Sequence, residues 1–111
     1  AVLRENVLFG LHLGDAHSKL GAEDGLAFGS VHPVGALELV YTLRTAQWDG
    51  HAYFDTFPEA EDPVREAEFN VRAFRRMWRR AGALRQKGME EFLHKHDAMG
   101  SLELMESLED E

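Results

Sequence analysis

Two short apolar runs, each closed by a polar loop and followed by helical periodicity, constrain the fold of this chain more than any other feature. The first, Asn6-Val7-Leu8-Phe9-Gly10-Leu11-His12-Leu13-Gly14, is nearly continuous in apolar residues, the pattern of a parallel strand covered on both faces, and predicts a strand over about 6–14. A polar loop rich in glycine (Gly21, Gly25, Gly29) follows over 15–31, long enough to carry function rather than merely connect. His32-Pro33 opens a helix, because Pro is tolerated at the first helical position, and Leu37, Val40, Tyr41 and Leu43 give it an apolar face through about 33–46. Trp48-Asp49-Gly50 is a turn, and His51-Ala52-Tyr53-Phe54-Asp55 reads as a second strand, over about 51–55.

After the loop Thr56–Glu61, Asp62-Pro63 combines a capping carboxylate with Pro at the first position and starts a helix faced by Phe69, Ala73, Met77 and Ala81. Gly82 reads as a break. Leu84–His96 and Leu102–Leu108 read as further helical segments separated by Met99-Gly100-Ser101, so that helices are expected over about 63–108. The order strand, loop, helix, strand, loop, helices is that of parallel βα units, and the expected class is α/β with residues 1–111 forming a single partial domain. Two buried parallel strands do not make a sheet unaided, since each leaves an edge of unpaired backbone groups. A closed barrel of eight such units takes about 250 residues, of which a chain of this length would supply about a quarter, with extra C-terminal helices.

Composition narrows the chemistry. Without Cys there are no disulfides and no thiolate ligands, so a metal held here is held by oxygen and imidazole nitrogen. A formal charge of -8 speaks against a nucleic-acid partner, whose phosphates would be repelled. The charge is segregated: Arg72 to Lys87 is basic, whereas Glu103, Glu106, Glu109, Asp110 and Glu111 make an acidic tail, and the two attract within or between chains or form separate solvated faces. No apolar run approaches the roughly 20 residues needed to cross a bilayer, and Ala1-Val2-Leu3-Arg4-Glu5 is not a signal peptide, so a cytoplasmic protein without a membrane partner is expected. The first residue is not Met, as expected either of a natural start upstream or of removal of the initiator Met alone.

In parallel α/β proteins, side chains meet ligands at the carboxyl ends of strands and in the loops beyond. The first run delivers His12, Asp15 and His17 there, then Glu23 and Asp24 in the loop; the second ends in Asp55. Imidazole with several carboxylates suits Mn²⁺, Co²⁺ or Mg²⁺. Plainer roles exist for each: a core or interface position for His12, an Asx turn for Asp15, solvated loop charges for Glu23 and Asp24. Asp55 ends an aromatic strand, where a buried carboxylate would need a cation or donors. His94 and His96, beside Lys95, read as solvent-facing.

Leu11-His12-Leu13-Gly14-Asp15 through Ser18-Lys19 and Glu23-Asp24-Gly25-Leu26-Ala27-Phe28-Gly29-Ser30 resembles the penultimate strand and loop of rhamnose isomerases and their xylose isomerase relatives, where an H-x-N-D segment precedes an acidic run and a Gly-Ser. Tyr53-Phe54-Asp55-Thr56-Phe57-Pro58, followed by Glu61-Asp62-Pro63-Val64 and Asn70, looks like the final strand and following helix of the same family; the likeness covers roughly residues 6 to 75. It implies the C-terminal βαβα portion of a (β/α)8 TIM barrel and aldose–ketose interconversion assisted by two divalent ions. Carried over, His12 and Asp55 would be metal ligands, Glu23 and Asp24 ligands of a second metal, and Asp15 and His17 substrate-binding. Gly14 replaces the usual Asn, and Gly25 stands where the acidic run often continues. The remaining ligands and the clamps for the sugar lie, in that family, on earlier strands, so the isolated chain is expected to be inactive and to belong to a homo-oligomeric enzyme. The rival expectations are a small α/β assembly module that works as a homodimer, and part of a metal-dependent sugar phosphate epimerase.

Overall fold

The computed structural model describes residues 2–22 and 24–109. In chain order the elements are β1 (Gly10–Leu13), α1 (Pro33–Thr45), β2 (His51–Phe54), α2 (Pro63–Gln86), α3 (Met89–His94) and α4 (Ala98–Glu109). The protein is mixed α/β and mostly helical, with one two-stranded parallel sheet in the register Gly10↔His51, Leu11↔Ala52, His12↔Tyr53 and Leu13↔Phe54. The ladder is prolonged at both ends where His51 N–H donates to Phe9 O and Asp55 N–H donates to Leu13 O.

The first strand is shorter than the 6–14 expected. Residues 2–6 turn back on themselves, with Asn6 N–H donating to Leu3 O and Val7 N–H to Val2 O, and Asn6 takes a φ of 58°. Strand extent follows from pairing, and β2 offers a partner only from His51. The second strand likewise stops at Phe54, one residue short of 55.

The sheet is covered on one face, not two. Leu11, Leu13, Ala52 and Phe54 point into the core with Phe28, Leu37, Val40, Ala73 and Leu84. Alternation along each strand sends Gly10, His12, His51 and Tyr53 to the other face, where all four are exposed. Aromatic packing continues the covered side outward from Phe54 to Phe28 and Phe74, and from Phe74 to a stacked Trp78.

Helix α1 buries Leu37, Val40, Tyr41 and Leu43, the face its periodicity predicts, against α2. Asp62 caps α2, its Oδ1 accepting from Val64 N–H at 2.9 Å and Arg65 N–H at 3.3 Å. The break expected at Gly82 does not occur, and α2 runs to Gln86. A glycine inside a helix costs about 1 kcal/mol, less than the burial of Ala81 and Leu84 on either side returns. The bare Cα at 82 is also where the Arg44 guanidinium sits, over the Trp78 ring and donating to Trp78 O. The stop falls at Gly88, whose φ of 96° suits glycine. Met99-Gly100-Ser101, expected to separate segments, lies inside α4, whose first turn takes hydrogen bonds from Gly100 N–H to Asp97 Oδ1 and Ser101 N–H to Asp97 O. Glu109 of this acidic helix meets Arg80 at 3.4 Å, an attraction within one chain. No described helix is long and apolar enough to cross a membrane.

Asn70 is the polar residue that ties this frame to the loops. Only 1% exposed, it accepts from Phe28 N–H at 2.8 Å, and its amide nitrogen donates to Thr56 Oγ1 and Glu66 Oε1, each at 3.4 Å. Thr56 itself donates to Glu66 at 2.6 Å. The loop after β1 and the loop after β2 are thereby fixed to the same turn of α2.

Candidate functional site at the strand ends

Because the strands are parallel, both carboxyl ends open onto one side of the molecule. The loops beyond them are joined there: Asp15 and Leu26 exchange hydrogen bonds in an antiparallel bridge, and Phe57 N–H donates to Gly25 O at 2.8 Å. Between them lies a cavity of about 740 Å³ whose walls include His12, Asp15, His17, Asp24, His32 and Asp55. Five of the six candidate residues thus share one cavity; Glu23 lies outside the described residues.

Their surroundings differ. His12 projects from the open sheet face and rests against Tyr53, ring centroids 5.2 Å apart. Asp55 follows β2 on the same face and is exposed rather than partly buried. Asp24 accepts from His17 N–H at 2.8 Å, which, with Lys19 3.7 Å away, lowers its carboxyl below the ordinary value.

Asp15 is the most constrained of the set, its side chain only 6% exposed. Its Oδ1 accepts from Ala16 N–H at 2.8 Å and its Oδ2 from Val31 N–H at 2.9 Å and His32 N–H at 2.8 Å. The His32 ring completes the set, Nδ1 lying 2.7 Å from Oδ1. Burial pushes this carboxyl up, but the donors from His32, Val31 and Ala16 together outweigh it and hold the group at about 2. On its far side, His32 Nε2 meets Ser18 Oγ at 2.6 Å.

Gly14 and Gly25 each have a structural reason to lack a side chain. A Cβ at Gly14 would stand 3.0 Å from Asp55 O, crowding the point where the strands meet the site. Gly25 has a φ of 62°, and a side chain there would run into the Phe57 ring. A third carboxylate has no room at that position.

By donor type, His12 and Asp55 fit a hard or borderline divalent ion. They are two donors, however, where a tight site needs at least three protein ligands, and the carboxylates of Asp15 and Asp24 are occupied by donors from the chain itself. Among the described residues no group of three or more His, Asp or Glu is placed to hold a metal ion. Sequence reasoning passed over Ser18 and His32. Ser18 is one polar residue in a polar loop, and His32 reads only as the residue before Pro33; no periodicity links positions 14 apart. The proximity of His32 to a helix start, with an Asp and a Ser in the preceding loop, was the available signal. No family model, curated protein or solved structure matches this chain.

Proposed function

We propose that this chain is the C-terminal portion of a metal-dependent aldose–ketose sugar isomerase with a (β/α)8 barrel, in which it provides the last two strand ends of the active-site mouth. The observation that carries this reading is the one-sided sheet. Helices cover the face bearing Leu11, Leu13, Ala52 and Phe54, as they cover the outside of a barrel, while His12, Tyr53 and Asp55 occupy the opposite, open face as inward-pointing barrel residues do. His12 and Asp55 are the donors this chain would bring to a divalent ion, with Asp24 on the wall of the same cavity. The ion would supply polarisation of the sugar's hydroxyl and carbonyl oxygens. The further donors, and the surfaces that select the sugar, would come from the neighbouring strands of the barrel. Alone, the chain would hold the ion weakly and turn over no sugar.

The test is aldose-to-ketose conversion, with Mn²⁺ or Co²⁺ and a panel of aldoses, by the longest polypeptide that contains this segment. The double substitution His12→Ala with Asp55→Asn should lower metal affinity and turnover together. Both unchanged would sink the assignment. The same open strand edges favour a second reading, a self-pairing α/β module, and sedimentation separates the two: a discrete dimer of the 111-residue chain with no isomerase activity in any longer form supports the module.

A further inference from the structure

Three side chains in the loop after β1 are connected in a line that requires no metal. Asp15 is acceptor-only, because its carboxyl titrates near 2 and is ionised at neutral pH. The proton shared at 2.7 Å therefore belongs to His32 Nδ1. With the other nitrogen unprotonated, Nε2 accepts from the Ser18 hydroxyl 2.6 Å away. This is the connectivity of a nucleophile, a base and an orienting carboxylate, with the imidazole bridging through opposite nitrogens.

Each member is also held by its backbone. His32 N–H is bound to Asp15 Oδ2, so ring and main chain both grip the same carboxylate. Ser18 is the middle residue of a three-residue turn closed by Lys19 N–H donating to His17 O at 2.9 Å, and His17 N–H is anchored on Asp24. The turn presents the hydroxyl at the wall of the open cavity, where Ser18 is exposed and the His32 side chain is 48% exposed. A buried orienting carboxylate with an accessible nucleophile and base supplies the proton-transfer part of acyl transfer.

We infer that Ser18 and His32 are the nucleophile and the base of a second catalytic site, which cleaves small carboxylic esters through a Ser18 acyl intermediate. Ser18 Oγ bonds to the carbonyl carbon as its proton passes to His32 Nε2. The bond from that carbon to the alkoxy oxygen breaks, and the proton leaves on the alcohol. Water then adds to the acyl group, giving a proton to His32 that returns to Ser18 Oγ as the acid departs. Asp15 is a positioning residue, fixing the tautomer and orientation of the ring. The site uses neither His12 nor Asp55, so it stands or falls separately from the metal reading.

The experiment treats the full 111-residue chain with a fluorophosphonate probe and maps the adduct by peptide mass spectrometry, alongside hydrolysis of p-nitrophenyl acetate. A single adduct on Ser18 is expected. Ser18→Ala, a change at an exposed loop position, should abolish both labelling and hydrolysis with an unchanged circular dichroism spectrum. His32→Gln should slow labelling of Ser18 by about a hundredfold or more. Asp15→Asn should lower kcat with little change in KM, the mark of a misplaced tautomer; if that variant does not fold, the Ser18 and His32 variants decide alone. An unmodified Ser18, labelling spread over other hydroxyls, or equal labelling rates in the wild type and His32→Gln would each overturn the inference.

Discussion

Asp15 shows how one carboxylate shapes a loop. Its folded value of about 2 lies below the ordinary 3.8, so folding favours the ionised form. That contribution is complete above about pH 4 and is lost as pH falls toward 2, because in this window the unfolded chain binds more protons. A shift of this size corresponds to about 2 kcal/mol. Asp15→Asn should therefore lower stability at pH 7 by about that amount and flatten the acid side of the stability profile, as urea melts at pH 7 and pH 3 will register. The Asx turn expected of Asp15 after Gly14 does not form, since His17 N–H goes to Asp24; of its four donors three come from Val31 and His32, beyond the reach of local turn rules. Gly25 makes a complementary case. Introducing a carboxylate there, Gly25→Asp, forces a side chain into the Phe57 ring at a positive φ and should cost about 2 kcal/mol or more in a thermal melt, without creating a metal ligand.

At the scale of elements, the helices were largely legible and the strand limits were not. The face of α1 and the Asp62-Pro63 start of α2 follow from side-chain periodicity and capping chemistry within a few residues of each other. The length of β1 depends on where β2 begins, some 40 residues later, and the space beside Gly82 is taken by Arg44 from a different helix. Asn70 appeared in the sequence only as part of a stretch resembling a known family, yet it ties α2 to the loops after β1 and β2. Asn70→Ala strands the buried Phe28 N–H and leaves a void, and should cost about 2 to 3 kcal/mol. Asp62→Ala removes an exposed cap and should cost about 1 kcal/mol. Chemical denaturation of the two variants side by side tests the ordering, and the Asn70 variant should also slow any labelling at Ser18.

As a whole, the molecule presents more surface than its mass warrants. Its accessible area is 8069 Å², against about 6,200 Å² for a compact monomer of 12.6 kDa. Its radius of gyration is 15.1 Å, against about 13 Å for a compact domain of 111 residues. Part of this surface is apolar and borders the bare sheet: Phe9 is 79% exposed, and Tyr53 and Phe57 are each 58% exposed; Leu20, Val64 and Met99 are exposed elsewhere. That a two-stranded sheet would keep an uncovered side was foreseeable by counting strands, whereas which face would be bare was not, because the run from Asn6 to Gly14 is too uniformly apolar to show alternation. The parallel ladder turns that bare sheet into its own gauge. His51 and Asp55 direct their amides toward β1, so alternation directs those of Ala52 and Phe54 toward the open edge. In deuterated buffer the isolated chain should lose the Ala52 and Phe54 protons quickly and keep those of His51 and Asp55. In any longer polypeptide or assembly that lays another strand beyond β2, the same two amides should become slow, so two backbone protons report whether the sheet has found its neighbour.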